Sequence, residues 1–178
     1  MQNDSITPAR LADWKEKRAA LDREATERTL RLRHFLKDHP EYAGGTVGAV
    51  AVDSHGVLAA ATSTGGMTLK LAGRVGDSPI PGAGNYASRH AAASATGTGE
   101  FVLRLLTTRA LADDVERGAP LDEAMGKALG ELGREFDADV GLIAVDRAGN
   151  PMAMHRTRDM PHAWFSGDHA VASRMRVA

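Results

Sequence analysis

Threonine is the residue type in this chain whose position best suits nucleophilic chemistry. Thr46 begins an apolar run and directly follows two glycines, Gly44 and Gly45. A threonine hydroxyl is a poor nucleophile unless a base is close to it, and a free α-amine with a pKa of about 7.7–8.0 is a suitable base. Cleavage of the chain before Thr46 would create that amine, and glycine on the leaving side allows the peptide bond to bend. Taken alone, the Gly-Thr pair fits an ordinary strand start better.

Other common catalytic groups lack the residues or the spacing that they need. The chain of 178 residues has no cysteine, which excludes a cysteine nucleophile, a thiolate metal site and a disulfide scaffold. Its 7 histidines form no HExxH motif and no close pair with a carboxylate at metal-ligand spacing. The glycine-rich stretches have no Walker lysine, and no GxSxG motif marks a serine nucleophile. We therefore expect neither a metal nor a cofactor, and threonine remains the candidate.

Charge and hydropathy restrict the partners and the location. Lys and Arg number 22 and Asp and Glu number 23, so the net charge of -1 gives no electrostatic case for nucleic acid or an acidic membrane surface. The chain has no run of about 18 apolar residues, and residues 1–7 lack the apolar segment of a signal peptide. These features predict a cytoplasmic protein of about one domain.

The first forty residues contain no glycine and predict one long charged helix. Thr7 can cap this helix at its N-terminus, and Pro8 suits its first position. Apolar residues recur every three or four positions as far as Phe35, although charged residues interrupt the stripe, and Pro40 ends the pattern. The spacing is typical of an amphipathic helix packed on another element. A coiled coil is the less favoured alternative because the stripe is broken.

A hairpin pattern occurs twice in the chain. Residues 46–63 and 141–154 both contain the sequence G-x-x-A-V-D-x-x-G-x-x-x-A. In each copy an apolar strand leads to an Asp that can accept hydrogen bonds from turn amides and to a Gly that allows a positive φ. The continuous apolar run 46–53 predicts a buried strand. We expect two β-hairpins of one design, in facing or neighbouring sheets.

The segment between the hairpins divides into a glycine-rich part and two helices. Residues 65–99 are rich in glycine and hydroxyl side chains, which predicts loops that approach a ligand closely, with tight turns as the alternative. One helix is predicted over 100–117, because glycine follows it, and a second from Pro120 or Leu121 to about Phe136. Strands, two helices and strands in this order favour an α+β or layered αββα domain.

Five short segments carry the most specific pattern in the chain. They are GTVGAVA (45–51), AAATSTGGMT (59–68), GRVGDSPI (73–80), GAGxYA (82–87) and TGTGE (96–100). Their order and spacing resemble those of the plant-type asparaginase and isoaspartyl peptidase family of N-terminal-nucleophile hydrolases, which includes glycosylasparaginase. The resemblance extends over about 44–164 and corresponds to the C-terminal catalytic subunit of that family.

The resemblance implies a role for each matching residue at the reaction centre. Thr46 would be the catalytic nucleophile, freed by autocatalytic cleavage of the Gly45–Thr46 bond. Thr64 would hydrogen-bond the hydroxyl of the nucleophile. Thr96 and the backbone N–H of Gly97 would bind the substrate as an oxyanion hole. Each such donor typically contributes a factor of about 10²–10³ in rate.

Two further residues would bind the substrate. The resemblance implies that Arg74 holds the substrate α-carboxylate, since a guanidinium matches a carboxylate in a bidentate pair, and that Asp77 holds its α-ammonium group. The alternative is a local salt bridge between the two side chains. The implied reaction is hydrolysis of a β-aspartyl amide, in asparagine or an isoaspartyl peptide. A glycosylasparaginase-like substrate is the alternative within the family.

The N-terminal part departs from the family pattern. Family precursors carry a long subunit before the nucleophile, whereas 45 residues precede Thr46 here. We therefore expect an incomplete αββα sandwich with a long N-terminal helix, divided into a helical arm and linker (1–45), as a truncated remnant of the N-terminal subunit, and a catalytic subunit (46–178). The partner would be a second copy or a chain supplying the missing subunit. Alternatives are a non-cleaving fragment that acts in binding or assembly, and a shortened fold that works alone.

Overall fold

The chain divides into two units. A computed structural model describes residues 7–24, 45–67, 70, 73–166 and 169–174. The smaller unit comprises Met1–Gly45 and Gly65–Arg74, and the larger unit comprises Thr46–Thr64 and Val75–Ala178. The chain thus leaves the smaller unit at Gly45 and returns to it for one short segment. The division predicted from the sequence, 1–45 and 46–178, stays a prediction.

The described part of the smaller unit contains the helix α1 (Pro8–Glu24). At its start the backbone N–H of Arg10 donates to Thr7 Oγ1 at 3.3 Å, which is the hydrogen bond expected of an N-cap. Pro8 occupies the first helical position, where its missing N–H removes no helical hydrogen bond. The predicted continuation of this helix to Phe35 lies outside the described residues and stays a prediction.

The described residues of the larger unit form three antiparallel sheets. Its strands are β1 (Thr46–Val52), β2 (Leu58–Thr64), β3 (Asn85–Ala87), β4 (Ala91–Gly97), β5 (Val140–Asp146), β6 (Pro151–His155), β7 (His162–Ser166) and β8 (His169–Arg174). β1 pairs with β2 and β7 with β8, and the other strands form one sheet in the order β3-β4-β5-β6. Both hairpins predicted from the repeat, β1–β2 and β5–β6, are confirmed.

Helices and the first hairpin lie on opposite faces of the four-stranded sheet. The helices are α2 (Gly99–Leu105), α3 (Thr107–Glu116) and α4 (Leu121–Phe136). α3 packs on β4 and α4 packs on β5, while the β1–β2 hairpin lies against β4 and β5 from the other side. The larger unit is therefore layered as helices, sheet and hairpin, and the predicted α+β class is confirmed.

Alternation along β4 separates the two faces. Ala91, Ala93 and Ala95 belong to the buried cluster that contains Met125 and Leu132 of α4. Ser94 lies between them in the sequence, so its side chain points to the other face, towards the hairpin. The small alanine side chains let the helices approach the sheet closely, because packed interiors leave little free volume.

The single helix predicted over 100–117 is wrong, because the chain breaks at Leu106. This residue has φ 46° and ψ 52°, the left-handed conformation that ends α2 and begins α3. The hydroxyl of the buried Thr107 donates to the backbone oxygen of Val102 at 3.3 Å and stabilises the break. The change of direction allows Val102 and Leu111 both to be fully buried. The second predicted helix is confirmed as Leu121–Phe136.

The burial predicted for the strand over 46–53 is also wrong. No residue of β1 is buried, and Val47 is 73% exposed, because only one face of the hairpin packs on the sheet. Burial is found instead on β4 and β5, which lie between the helices and the hairpin. β4 falls within the glycine-rich stretch that predicted loops. Its alanine-rich sequence does not indicate a strand, because alanine is depleted in strands.

Substitutions at Leu106 test the helix break. In a left-handed conformation a non-glycine residue costs about 1–2 kcal/mol, whereas in a helix interior glycine costs about 1 kcal/mol relative to alanine. We therefore expect Leu106→Gly to be more stable than Leu106→Ala by about 1 kcal/mol in urea unfolding, since both remove the side chain. A more stable alanine variant would instead indicate the continuous helix.

Candidate active site

Thr46 and Thr64 face each other at the open end of the first hairpin. They are paired in the β1–β2 register, and their hydroxyl oxygens lie 3.3 Å apart. At the far end the Asp53 carboxylate accepts hydrogen bonds from the backbone N–H groups of His55 and Val57, each at 2.8 Å. Because the turn determines the register of a hairpin, the Asp53 turn decides which residue lies beside Thr46. The structure thus brings the predicted nucleophile and its predicted hydroxyl partner together.

Thr96 and Gly97 end β4, just before α2 begins. Gly97 has a φ of 138°, and a Cβ on it would lie 2.5 Å from the backbone oxygen of Asp139. Both observations require glycine at this position. Thr96 lies opposite Gly141 in the β4–β5 register, so no side chain on β5 covers it directly. The chain therefore turns tightly after Thr96 and leaves its side chain accessible.

A cavity of about 200 Å³ lies beside Thr46. Thr96 lines the same cavity, so the predicted nucleophile and one predicted oxyanion donor share it. Thr64, Asp77 and Gly97 do not line it. The other lining residues, none of which was predicted as a site residue, are Gly48, Ser94, Ala95, Gly141, Ile143, Met160, Pro161, His162 and Ala163.

Two glycines give this cavity its room. Gly48 and Gly141 are the first residues of the two copies of the repeated hairpin sequence. A Cβ at Gly48 would overlap Ser94 Oγ, and a Cβ at Gly141 would overlap Met160 Sδ. The repeated sequence predicts two hairpins, and the glycine that begins each copy is also the sequence signal that could have located the cavity.

His162 brings an imidazole ring to the cavity. Its Nδ1 lies 2.8 Å from the backbone oxygen of Met160, and because a carbonyl oxygen can only accept, Nδ1 carries the proton. The ring stacks on Trp164 with centroids 5.9 Å apart and 12° between the planes. In its neutral form His162 therefore has Nε2 as an acceptor. No motif in the sequence marks this position.

Asp77 lies in a tightly turned loop of the larger unit and is only 7% exposed. Its backbone oxygen accepts hydrogen bonds from the N–H groups of Ile80 at 2.9 Å and Gly84 at 3.1 Å. A Cβ at Gly84 would lie 2.6 Å from that same oxygen, so the loop closes only around glycine. Arg74 belongs to the smaller unit. The joint binding of one substrate by Arg74 and Asp77 stays a prediction.

The described residues provide neither a cluster that could bind a metal ion nor a helix that could cross a membrane. The described residues contain no group of three or more His, Cys, Asp or Glu side chains that could hold a metal ion. In the part of the chain that the structure describes, every helix is too short or too polar to cross a membrane. The expected absence of a metal and a cofactor, and the expected cytoplasmic location, stay predictions.

The chain is similar in sequence to known proteins over most of its length. A model of the asparaginase family matches residues 1–173. The plant-type L-asparaginase of Pyrococcus horikoshii is 40% identical over 161 residues, which cover 90% of this chain and 52% of that protein. The plant-type L-asparaginase of Thermococcus kodakarensis is 40% identical over 164 residues, covering 91% and 53%. The isoaspartyl peptidase of Escherichia coli is 49% identical over 127 residues, covering 70% and 40%.

These matches define the class of protein to which the chain belongs. The chain belongs to the plant-type asparaginase and isoaspartyl peptidase family, as its five segments predict. It spans about half the length of the plant-type asparaginases that it matches.

Alanine substitutions at two glycines test the tight turn after Thr96. Gly97→Ala places a Cβ against the backbone of Asp139 at a φ that favours glycine, so we expect a loss of about 1–3 kcal/mol in stability. Gly126→Ala is the matched control, since nothing lies within 4 Å of a Cβ at that exposed helical position. It should stabilise the protein by about 0.5–1 kcal/mol. Thermal unfolding measures both, and shifts of the same sign would contradict the turn.

Proposed function

We propose that this protein is an amidohydrolase that cleaves β-aspartyl amide bonds with Thr46 as the nucleophile. The observation that carries the proposal is the cavity shared by Thr46 and Thr96, with Thr64 Oγ1 at 3.3 Å from Thr46 Oγ1. This distance exceeds the about 2.7–2.8 Å usual between hydroxyl oxygens, as is common for catalytic hydrogen bonds before substrate binds. Relatives named L-asparaginase and isoaspartyl peptidase support the same class of substrate.

Maturation of the chain is the first step of the proposed mechanism. The Thr46 hydroxyl attacks the carbonyl carbon of Gly45, the C–N bond breaks as the hydroxyl proton passes to the departing nitrogen, and an ester forms. Water then hydrolyses the ester and leaves a carboxylate on Gly45 and a free α-amine on Thr46. With a pKa of about 7.7–8.0, this amine accepts the proton of its own hydroxyl at neutral to weakly basic pH. Thr64 orients the hydroxyl through the hydrogen bond between the two side chains.

Turnover repeats this chemistry on the substrate. Thr46 Oγ1 attacks the β-carbonyl carbon, and the developing oxyanion accepts hydrogen bonds from the Thr96 hydroxyl and the Gly97 N–H. Each such donor is typically worth about 10²–10³ in rate. The amine takes the proton from Oγ1 and passes it to the leaving nitrogen as the C–N bond breaks. The product is an aspartyl ester on Thr46, which water hydrolyses to aspartate.

Recognition of the substrate is assigned to charged groups. Arg74 would bind the α-carboxylate through two parallel hydrogen bonds, and Asp77 would bind the α-ammonium. Asparagine and isoaspartyl peptides both present this pair of charges next to a β-amide, so neither is preferred on this basis. A glycosylasparaginase-like activity is the alternative substrate class. A non-cleaving chain that acts only in binding or assembly is the alternative to an enzyme.

Intact mass spectrometry tests the nucleophile directly. We expect purified protein to separate on incubation into fragments of 45 residues and 178 − 45 = 133 residues. Thr46→Ala removes the hydroxyl and should abolish cleavage, ammonia release from asparagine and aspartate release from an isoaspartyl dipeptide, whereas Thr46→Ser should retain part of each. An uncut wild-type chain, or cleavage by Thr46→Ala, would contradict the proposal.

The outer face of the β1–β2 hairpin supports a proposal about assembly. On this face Val47, Ala49 and Ala61 are exposed although they are apolar. Exposed apolar patches commonly mark sites of protein association. We propose that a second copy of the chain, or a chain supplying the part of the relatives' length that is absent here, covers this face and completes an αββα sandwich.

Light scattering tests this association. We expect an assembly larger than one chain, because covering the apolar face stabilises the complex. Ala61→Glu places a charge in the centre of the face and should shift the population towards single chains, whereas Ala148→Glu, in the exposed turn of the other hairpin, should not. A single-chain mass for the wild-type protein at high concentration would favour the shortened fold that works alone.

A further inference from the structure

Ser94 is a buried hydroxyl that the proposed reaction does not use. It lies on β4, two residues before Thr96 and on the same face of the strand. It is 3% exposed, and it lines the cavity together with Thr46 and Thr96. A buried hydroxyl that lines a reaction cavity is a candidate for contact with the reacting molecules, and its hydrogen-bond partners decide what it can bind.

The partners of Ser94 fix the direction of its hydrogen bond. Thr62 Oγ1 lies 3.0 Å from the backbone oxygen of Gly84 and 2.6 Å from Ser94 Oγ. The carbonyl oxygen of Gly84 can only accept, so the single proton of the Thr62 hydroxyl is used on it. Thr62 must then accept from Ser94. The proton of Ser94 points to Thr62, and the lone pairs of Ser94 Oγ are left for the cavity.

Backbone packing holds this chain of hydroxyls in place. Gly48 lies opposite Thr62 in the hairpin register, and its missing side chain is what allows Ser94 Oγ to approach β1. The oxygen of Gly84 also accepts the N–H of Ala95 at 2.8 Å, which ties the anchor to β4 itself. The direction of the Ser94 hydrogen bond is therefore set by the fold, because Gly84 at one end of this hydrogen-bonded series and Ser94 at the other are both held by backbone packing.

We propose that Ser94 Oγ binds the water that hydrolyses the aspartyl ester on Thr46, an inference that rests on the proposed function. A water occupies about 30 Å³ of liquid volume and needs two to four polar partners when buried. The cavity of about 200 Å³ has room for it, and Thr46, Thr96 and His162, which carry polar side chains, line the same cavity as Ser94. Water donates one hydrogen to Ser94 and keeps an oxygen lone pair for attack.

The step balances without another reactant. The water oxygen attacks the ester carbonyl carbon while its second proton passes to the α-amine of Thr46. The bond between that carbon and Thr46 Oγ1 then breaks, Oγ1 takes the proton back from the amine, and aspartate leaves. Ser94 keeps its own proton throughout, so it acts as an acceptor that places the water. Thr62 touches neither water nor substrate and is a positioning residue.

Steady-state kinetics of Ser94→Ala tests this role. Loss of one neutral hydrogen bond to the water should slow deacylation about 3- to 10-fold. Because kcat/KM does not include the second step, a slower second step leaves kcat/KM unchanged, lowers kcat and KM together once that step limits turnover, and raises the fraction of the 133-residue fragment that carries the aspartyl ester in intact-mass spectra. If Ser94 instead bound the leaving nitrogen, kcat/KM would fall and the ester would not accumulate, which would overturn the proposal.

Variants at neighbouring hydroxyls separate positioning from structure. Thr62→Val keeps the shape of the side chain but frees the Ser94 proton. We therefore expect kcat to fall about threefold while kcat/KM stays unchanged. Thr62→Ser retains the hydroxyl and should behave as the wild type. Ser63→Ala removes a hydroxyl from the exposed face of the same strand and is the matched control. Equal losses of activity in these three variants and in Ser94→Ala would indicate a merely structural role and overturn the proposal.

Crystal structures of the full chain decide the proposal even without turnover. We expect an ordered water within about 3 Å of Ser94 Oγ in the wild-type protein and its loss in Ser94→Ala. Failure of the chain to cleave itself would contradict the proposed function, while the water position would still be measured. A wild-type cavity with no water on Ser94 Oγ would overturn the water subsite whatever the activity.

Discussion

The close approach of the β1–β2 hairpin to the four-stranded sheet depends on the missing side chain of Gly48. A Cβ there would overlap Ser94 Oγ, and the two layers would have to separate. The contact has two consequences at once. It brings Ser94 Oγ to 2.6 Å from Thr62 Oγ1, and it leaves a cavity that both Thr46 and Thr96 line. Since packed interiors leave little free volume, the position of Ser94 beside the cavity follows from this one approach.

The inner and outer faces of the β1–β2 hairpin differ in polarity. On the inner face Thr62 is half-buried, and its hydroxyl must be hydrogen-bonded because an unpaired buried polar group is costly. Thr62 meets that requirement through Gly84, while the more exposed hydroxyls of Thr46 and Thr64 hydrogen-bond each other. The outer face is apolar and exposed at Val47. A polar inner face suits a reaction centre, and an apolar outer face suits a covering partner.

Local chemistry explains why the two hairpins could be predicted from the sequence. In both copies an Asp carboxylate accepts turn amides, as Asp53 does from Val57 and Asp146 does from Asn150, each within 3 Å. Such bonds involve residues a few positions apart, so a short sequence contains them. The break at Leu106 could not be predicted this way. Its left-handed conformation is stabilised by burial of residues on both sides of it, and leucine has no intrinsic preference for that conformation.

The sequence by itself identified the family through the order of its motifs, and the resemblance then indicated Thr46 as the candidate nucleophile and Thr64 as its hydroxyl partner, because motif order is a property of the sequence alone. Only the tertiary structure decided that Ser94 and His162 line the cavity of Thr46. Both residues are far from Thr46 in the chain: Ser94 meets it when the hairpin packs on the four-stranded sheet, and His162 comes from the separate strand β7. It also decided the direction of the Ser94 proton, since that depends on a carbonyl oxygen supplied by a separate loop. Contacts of this kind arise from packing between layers, which no local pattern specifies.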